Sequence, residues 1–122
     1  MRALAVALLT SLALAAPAAA WHPIAGRYGG REVNGPREIH FWVSKSHGAY
    51  TVHNFRVTYH GHTNTMAHDL HVTSHWFFRF FTSEGEIDFS GQWKGPGTVE
   101  GSMFVSGGHS YHWKVHHLNE VL

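Results

Sequence analysis

Residues 59–76 read YHGHTNTMAHDLHVTSHW and carry an unusual density of histidine: His60, His62, His68, His71 and His75. Neutral imidazole is a common ligand of zinc, copper and nickel. On a β-strand, residues i and i+2 point to the same face, so His60 and His62 could reach one ion. One of the three later histidines, or Asp69, could supply a third ligand. The segment therefore predicts a site for a divalent transition metal, zinc or copper.

The second half of this segment fits two local structures. His68, His71 and His75 are spaced i, i+3 and i+7, which would align them on one face of a helix. Against a helix, the β-branched and polar run Val72-Thr73-Ser74 favours extended chain. Both structures stay open at this point, and each would present the histidines differently.

The aromatic residues suggest a second kind of site. The chain has five Trp, four Tyr and eight Phe, and the faces that carry Trp42, Tyr50, Phe78 and Phe80 cannot all be buried in so small a domain. Exposed aromatic rings beside polar residues can stack on sugars. The alternative hypothesis is thus a carbohydrate- or surface-binding module in which Trp42 and Tyr50 contact a glycan.

A third hypothesis is a structural, envelope-associated protein. All thirteen histidines lie after residue 20. An unperturbed histidine titrates near pH ~6.5, so these side chains would make the surface more positive below about pH 6. In this hypothesis the histidines control association of the protein and do not bind a ligand.

Several classes of function find no support in the sequence. The chain has no cysteine, which excludes Cys-based zinc sites, thiol catalysis, iron–sulfur clusters and haem attachment through Cys. It contains no G-x-S-x-G, H-E-x-x-H or phosphate-loop motif. Lys and Arg are scattered rather than clustered, which argues against a nucleic-acid partner. We therefore expect binding and not catalysis.

The first twenty residues have the pattern of a secretory signal peptide. Arg2 precedes an apolar run, and Ala18-Ala19-Ala20 supplies a small-residue cleavage site. Cleavage is predicted after Ala20, with cleavage after Ala19 as the alternative. The remaining residues, 21–122, suit a single domain that is secreted or periplasmic. No later segment is apolar enough to span a membrane.

The rest of the chain alternates with period 2. Ile39, Phe41 and Val43 share one face of a predicted strand. Strand patterns also cover residues 50–59, 76–82, 86–93, 98–106 and 110–117. Turn-forming residues separate them at Gly29-Gly30, Asn34-Gly35-Pro36, Ser46-His47-Gly48 and Lys94-Gly95-Pro96-Gly97. The pattern predicts an all-β fold, an antiparallel β-sandwich or small barrel of about seven strands.

A set of short motifs also carries a family resemblance: Gly26-x-Tyr28-x-Gly30, Ile39-x-Phe41-x-Val43, Val52-x-Asn54-Phe55, Phe89-x-Gly91-x-Trp93 and Thr98-Val99-x-Gly101. With these motifs the chain resembles a family of small secreted all-β bacterial proteins of the actinobacterial type. The resemblance covers about two thirds of residues 21–122. It implies an all-β domain and export, and it implies no particular activity.

Overall fold

The computed structural model of the protein describes residues 21–81, 87–105 and 109–119. These residues form nine strands: β1 (Gly26–Glu32), β2 (Glu38–Ser46), β3 (Ala49–Tyr59), β4 (His62–Thr65), β5 (Leu70–His71), β6 (Phe77–Phe81), β7 (Ile87–Gly95), β8 (Thr98–Val105) and β9 (His109–His117). Every strand pair is antiparallel. The predicted all-β class is confirmed.

The strands form one sheet in the order β4-β3-β2-β1-β9-β8-β7-β6. β5 pairs with the first half of β3. The sheet is curled into a half-barrel, so its apolar face encloses a core. Alternation along the strands sets that face: Ile39, Phe41 and Val43 are buried, as predicted.

The described residues add two short strands to the predicted pattern: β4 and β5 have only four and two residues and are too short to show a periodic pattern. One predicted turn is wrong. Gly29-Gly30 is not a turn and lies inside β1. A Cβ on Gly30 would overlap the backbone carbonyl of Lys114, so this glycine permits the close approach of β9.

The core is a column of aromatic rings that runs along the inside of the half-barrel. Tyr28 stacks on Phe41 with centroids 5.2 Å apart, and Phe41 stacks on Phe55 at 5.5 Å. The ring of Phe55 in turn packs against that of Phe89, with centroids 5.2 Å apart. Such offset and tilted pairs add stability beyond the area they bury.

Aromatic side chains close one end of this column. The Trp93 indole N–H donates to the Tyr28 hydroxyl at 3.1 Å, and that hydroxyl donates to the Ile24 carbonyl at 2.6 Å. Trp76 packs edge-on against Tyr50 with centroids 5.5 Å apart. We call the end of the half-barrel that contains these contacts the closed end. The β2–β3 and β7–β8 turns lie there. We call the opposite end of the half-barrel the open end.

None of the described residues forms a helix with the length and apolar character that a membrane span requires.

Candidate functional site

A cavity of about 530 Å³ lies inside the half-barrel at its open end. Residues of β4 and β6, the two outer strands of the sheet order, both line it. Its volume falls within the range of roughly 300–1,000 Å³ that is usual for small-molecule sites. The mouths of small β-barrels are a recurrent location for such sites.

The wall of the cavity is mainly apolar. The inward positions of β3, β6, β7 and β8 supply most of it, and the residues after β4 complete it. The apolar lining residues are Phe55, Val57, Met66, Ala67, Phe80, Phe89 and Met103. Met66, Phe80 and Phe89 are only partly buried. Burying this remaining apolar surface against a ligand would release water and favour binding.

Polar residues complete the lining, and Arg37, directly before β2, is one of them. Its guanidinium carbon lies 4.2 Å from the centre of the Tyr59 ring and 4.0 Å from that of Tyr111. The guanidinium is thus held between two aromatic faces. Tyr59 also lines the cavity, together with Asn64, Thr65 and His68.

An ion pair with Glu32 holds the guanidinium of Arg37 in place. Arg37 Nη1 donates to Glu32 Oε1 at 3.1 Å, and the Glu32 side chain is only 8% exposed. The Glu32 backbone N–H donates to the Arg37 carbonyl at 2.7 Å. Gly35 in the intervening turn lies directly against the carboxylate, since a Cβ at this position would overlap it. The turn and the ion pair therefore orient the guanidinium before any ligand arrives.

Arg37 remains a cation in this setting. Burial by itself would lower the pKa of the guanidinium, but the hydrogen bond and the charge of Glu32 outweigh burial and raise the pKa above its usual value. Only one of its five N–H donors has an acceptor among the described residues. The others can donate to an oxygen of a ligand.

The structure does not place His60 and His62 on one strand. β3 ends at Tyr59 and β4 begins at His62. His60 and Gly61 therefore form a two-residue turn, with φ of 50° and 78°. The strand geometry assumed for His60 and His62 is thus wrong, because a hairpin turn and not a continuous strand carries them.

The later histidines separate further. His62 pairs with Tyr59, and His71 pairs with Thr51, so the two histidines lie about 26 Å apart along β3 at roughly 3.3 Å per residue. Of the two local structures left open for this segment, extended chain is correct and the short helix is not, because Leu70–His71 is a strand. His75 is exposed in a turn, where its carbonyl accepts from Gln92 at 2.7 Å. His68 alone of these five lines the cavity.

In the described ranges, no group of three or more His, Asp or Glu side chains is arranged to hold a metal ion. The structure thus does not bring the five histidines together. Binding of zinc or copper by a smaller set of them stays a prediction.

The two predicted aromatic contacts have different surroundings. Tyr50 is 3% exposed, so the expectation that it contributes to an exposed platform is wrong. It belongs to the core. Trp42 lies on the outer face of the sheet and is half-buried, with the guanidinium carbons of Arg27 and Arg56 at 5.4 Å and 5.5 Å from its ring. A role for Trp42 in binding a glycan stays a prediction.

The sequence analysis missed the cavity and Arg37. The alternation of β3 already places Phe55 and Val57 on the inner face, but no local pattern shows that the core stops short of the open end. Arg37 follows the turn Asn34-Gly35-Pro36, and its partner Glu32 precedes that turn. Two opposite charges flanking a tight turn are the one signal that could have indicated the pair.

No protein-family model, curated protein or solved structure matches this chain. The family resemblance of the sequence motifs therefore stays a prediction, and the geometry of the cavity carries the argument about function.

Proposed function

We propose that the protein binds a small amphipathic molecule, with the apolar body of the ligand in the open-end cavity and an anionic head group at Arg37. The observation that carries the proposal is the combination of an apolar cavity with a preorganised cation at its edge. Preorganisation favours binding because the guanidinium loses little freedom when the ligand arrives. Medium-chain carboxylates have the required chemistry.

The buried Glu32 refines the expected ligand. Because Glu32 balances the charge of Arg37, the ligand head group adds a charge-assisted hydrogen bond rather than neutralising an isolated cation. The apolar wall supplies most of the affinity, and Arg37 supplies preference among head groups. With the export predicted from residues 1–20, the protein would act as a carrier or receptor outside the cytoplasm.

Filling the cavity should weaken binding. Ala67 lines the cavity, and its side chain is exposed, so Ala67→Trp places a large ring at the mouth without displacing core residues. We expect affinity for 8-anilinonaphthalene-1-sulfonate, followed by fluorescence titration, to fall at least about tenfold, which is ~1.4 kcal/mol. The matched control is Ala49→Trp, because Ala49 is exposed at the closed end.

A ligand series then tests the head group. Decanoate should displace the probe at a lower concentration than decan-1-ol or decylammonium, which share its chain. Equal affinity of the wild type, Ala67→Trp and Ala49→Trp for the probe would overturn the cavity as the binding site. Equal displacement by the three decyl compounds would overturn the role of Arg37.

A further inference from the structure

Three side chains on the outer face of the sheet form a hydrogen-bonded chain that the proposed ligand site does not use. Ser44 Oγ lies 2.6 Å from His53 Nε2. On the other side of the ring, His53 Nδ1 lies 3.0 Å from Asp69 Oδ2. Serine, imidazole and carboxylate are thus joined in the order and through the ring nitrogens that a Ser-His-Asp triad requires.

The hydrogen bonds dictate the tautomer of the imidazole. An ionised carboxylate can only accept a hydrogen bond, so the proton of neutral His53 lies on Nδ1, facing Asp69. Nε2 is then an acceptor, and the Ser44 hydroxyl donates to it. This is the arrangement in which histidine can take the serine proton as the hydroxyl attacks a substrate.

Three neighbouring strands hold the triad. Ser44 and His53 lie on β2 and β3, where Ser44 pairs with Thr51 and Trp42 pairs with His53. The register of these strands shifts between His40 and Trp42. The register is regular from Trp42 to Ser46, so Ser44 and His53 are diagonal neighbours on the outer face of this hairpin. Asp69 directly precedes β5, which pairs with β3 beside this point. The sheet therefore positions Ser44 and His53, and the pairing of β5 with β3 brings Asp69 beside His53.

We propose that Ser44, His53 and Asp69 form a nucleophilic triad that transfers short acyl groups from esters to water. Ser44 Oγ attacks the ester carbonyl carbon while His53 Nε2 takes the hydroxyl proton. The imidazolium returns that proton to the leaving alkoxide oxygen as the C–O bond breaks. The products of this step are an alcohol and an acyl ester on Ser44.

Water completes the reaction by the same route. His53 Nε2 takes one proton of a water molecule as the water oxygen bonds to the acyl carbon. That proton then passes to Ser44 Oγ as the bond between Oγ and the acyl carbon breaks. A carboxylic acid leaves, and the hydroxyl is restored. Throughout, Asp69 holds the ring and stabilises the imidazolium.

The exposure of the triad defines the substrate class. The side chains of His53 and Asp69 are 32% and 62% exposed, and Ser44 is exposed as well. An open site of this kind suits an acyl ester displayed on an accessible carrier, such as an O-acylated carbohydrate. Turnover is slow, because oxyanion stabilisation is weaker where water has access.

Covalent capture of Ser44 is the decisive test, since the thirteen histidines of the chain can hydrolyse activated esters without a serine. The protein is treated with a fluorophosphonate, and labelled peptides are identified by mass spectrometry. We expect label on Ser44 and none on Ser46, the exposed serine two residues away. His53→Ala should slow labelling about 100-fold, the lower end of the range for a general base.

Kinetic variants give the second readout. Ser44→Ala and His53→Ala should lower hydrolysis of p-nitrophenyl acetate to the same residual rate, and Asp69→Asn should lower it less. Ser46→Ala should keep the wild-type rate. All four positions are on the surface, and thermal melting confirms that the variants fold. Absence of label on Ser44, or a wild-type rate in Ser44→Ala, would overturn the triad and would leave the cavity proposal unaffected.

Discussion

Replacing Gly101 by alanine should destabilise the protein by about 3 kcal/mol, the upper part of the usual range for overpacking a core. A Cβ at this position would overlap the Ser90 carbonyl oxygen and the Trp113 indole. Neither group can move away easily. The Ser90 carbonyl belongs to the paired backbone of β7, and the Trp113 side chain is buried, at 2% exposure. The measurement is the free energy of unfolding in urea.

The sign of this effect is itself informative. In an unstrained site, Gly→Ala stabilises a protein by ~0.4–1 kcal/mol, because alanine restricts the unfolded chain. Gly95 lies in the same sheet with no atom within 4 Å of a built Cβ, so Gly95→Ala should be neutral or slightly stabilising. Equal effects of the two substitutions would contradict the packing of Trp113 across β8.

Removing the guanidinium of Arg37 should cost about 3 kcal/mol of folding stability, because it leaves the Glu32 carboxylate buried without its partner. Glu32 is 9% exposed as a residue. We compare Arg37→Ala with Arg79→Ala, which breaks the exposed pair of Arg79 with Asp88. The exposed pair should contribute much less, since water and salt screen it.

A double variant separates stability from ligand recognition. In Glu32→Gln with Arg37→Met, no buried charge is left unpaired, so we expect most of the lost stability to return. This folded variant should retain the apolar wall and lose the preference for decanoate over decan-1-ol. If the double variant were no more stable than Arg37→Ala, the account of Glu32 as a buried partner would be wrong.

Local alternation was sufficient to predict the all-β class and the inner face of several strands. Trp113 and Val115 are buried, and His112, Lys114 and His116 are exposed, as the pattern of residues 110–117 predicts. Inner and outer positions follow from a period of two, because each strand contributes one face to the core.

Other features depend on pairing between distant strands. β9 returns to pair with β1, and nothing in either segment specifies that partner. The His60-Gly61 turn requires positive φ at both residues. Glycine adopts this conformation readily and histidine seldom does. The sequence therefore predicted a continuous strand through His60 and His62. The partners of Ser44 likewise became visible only when β2, β3 and β5 were adjacent.

The cavity could not be predicted for a similar reason. Its walls come from strands that are distant in sequence, and its volume depends on where the aromatic column ends near Phe89. A period-2 pattern marks a side chain as inward-facing, but it does not show whether another side chain or a ligand fills the space beside it.

Methyl NMR of methionine tests the central proposal most directly. The chain has three methionines, and Met66 and Met103 both line the cavity. In protein labelled at the methionine methyl groups, titration with decanoate should shift both signals along one saturable curve, and Ala67→Trp should suppress both shifts. Saturable binding of decanoate that leaves the two methyl signals unchanged would contradict the account, as would the absence of binding.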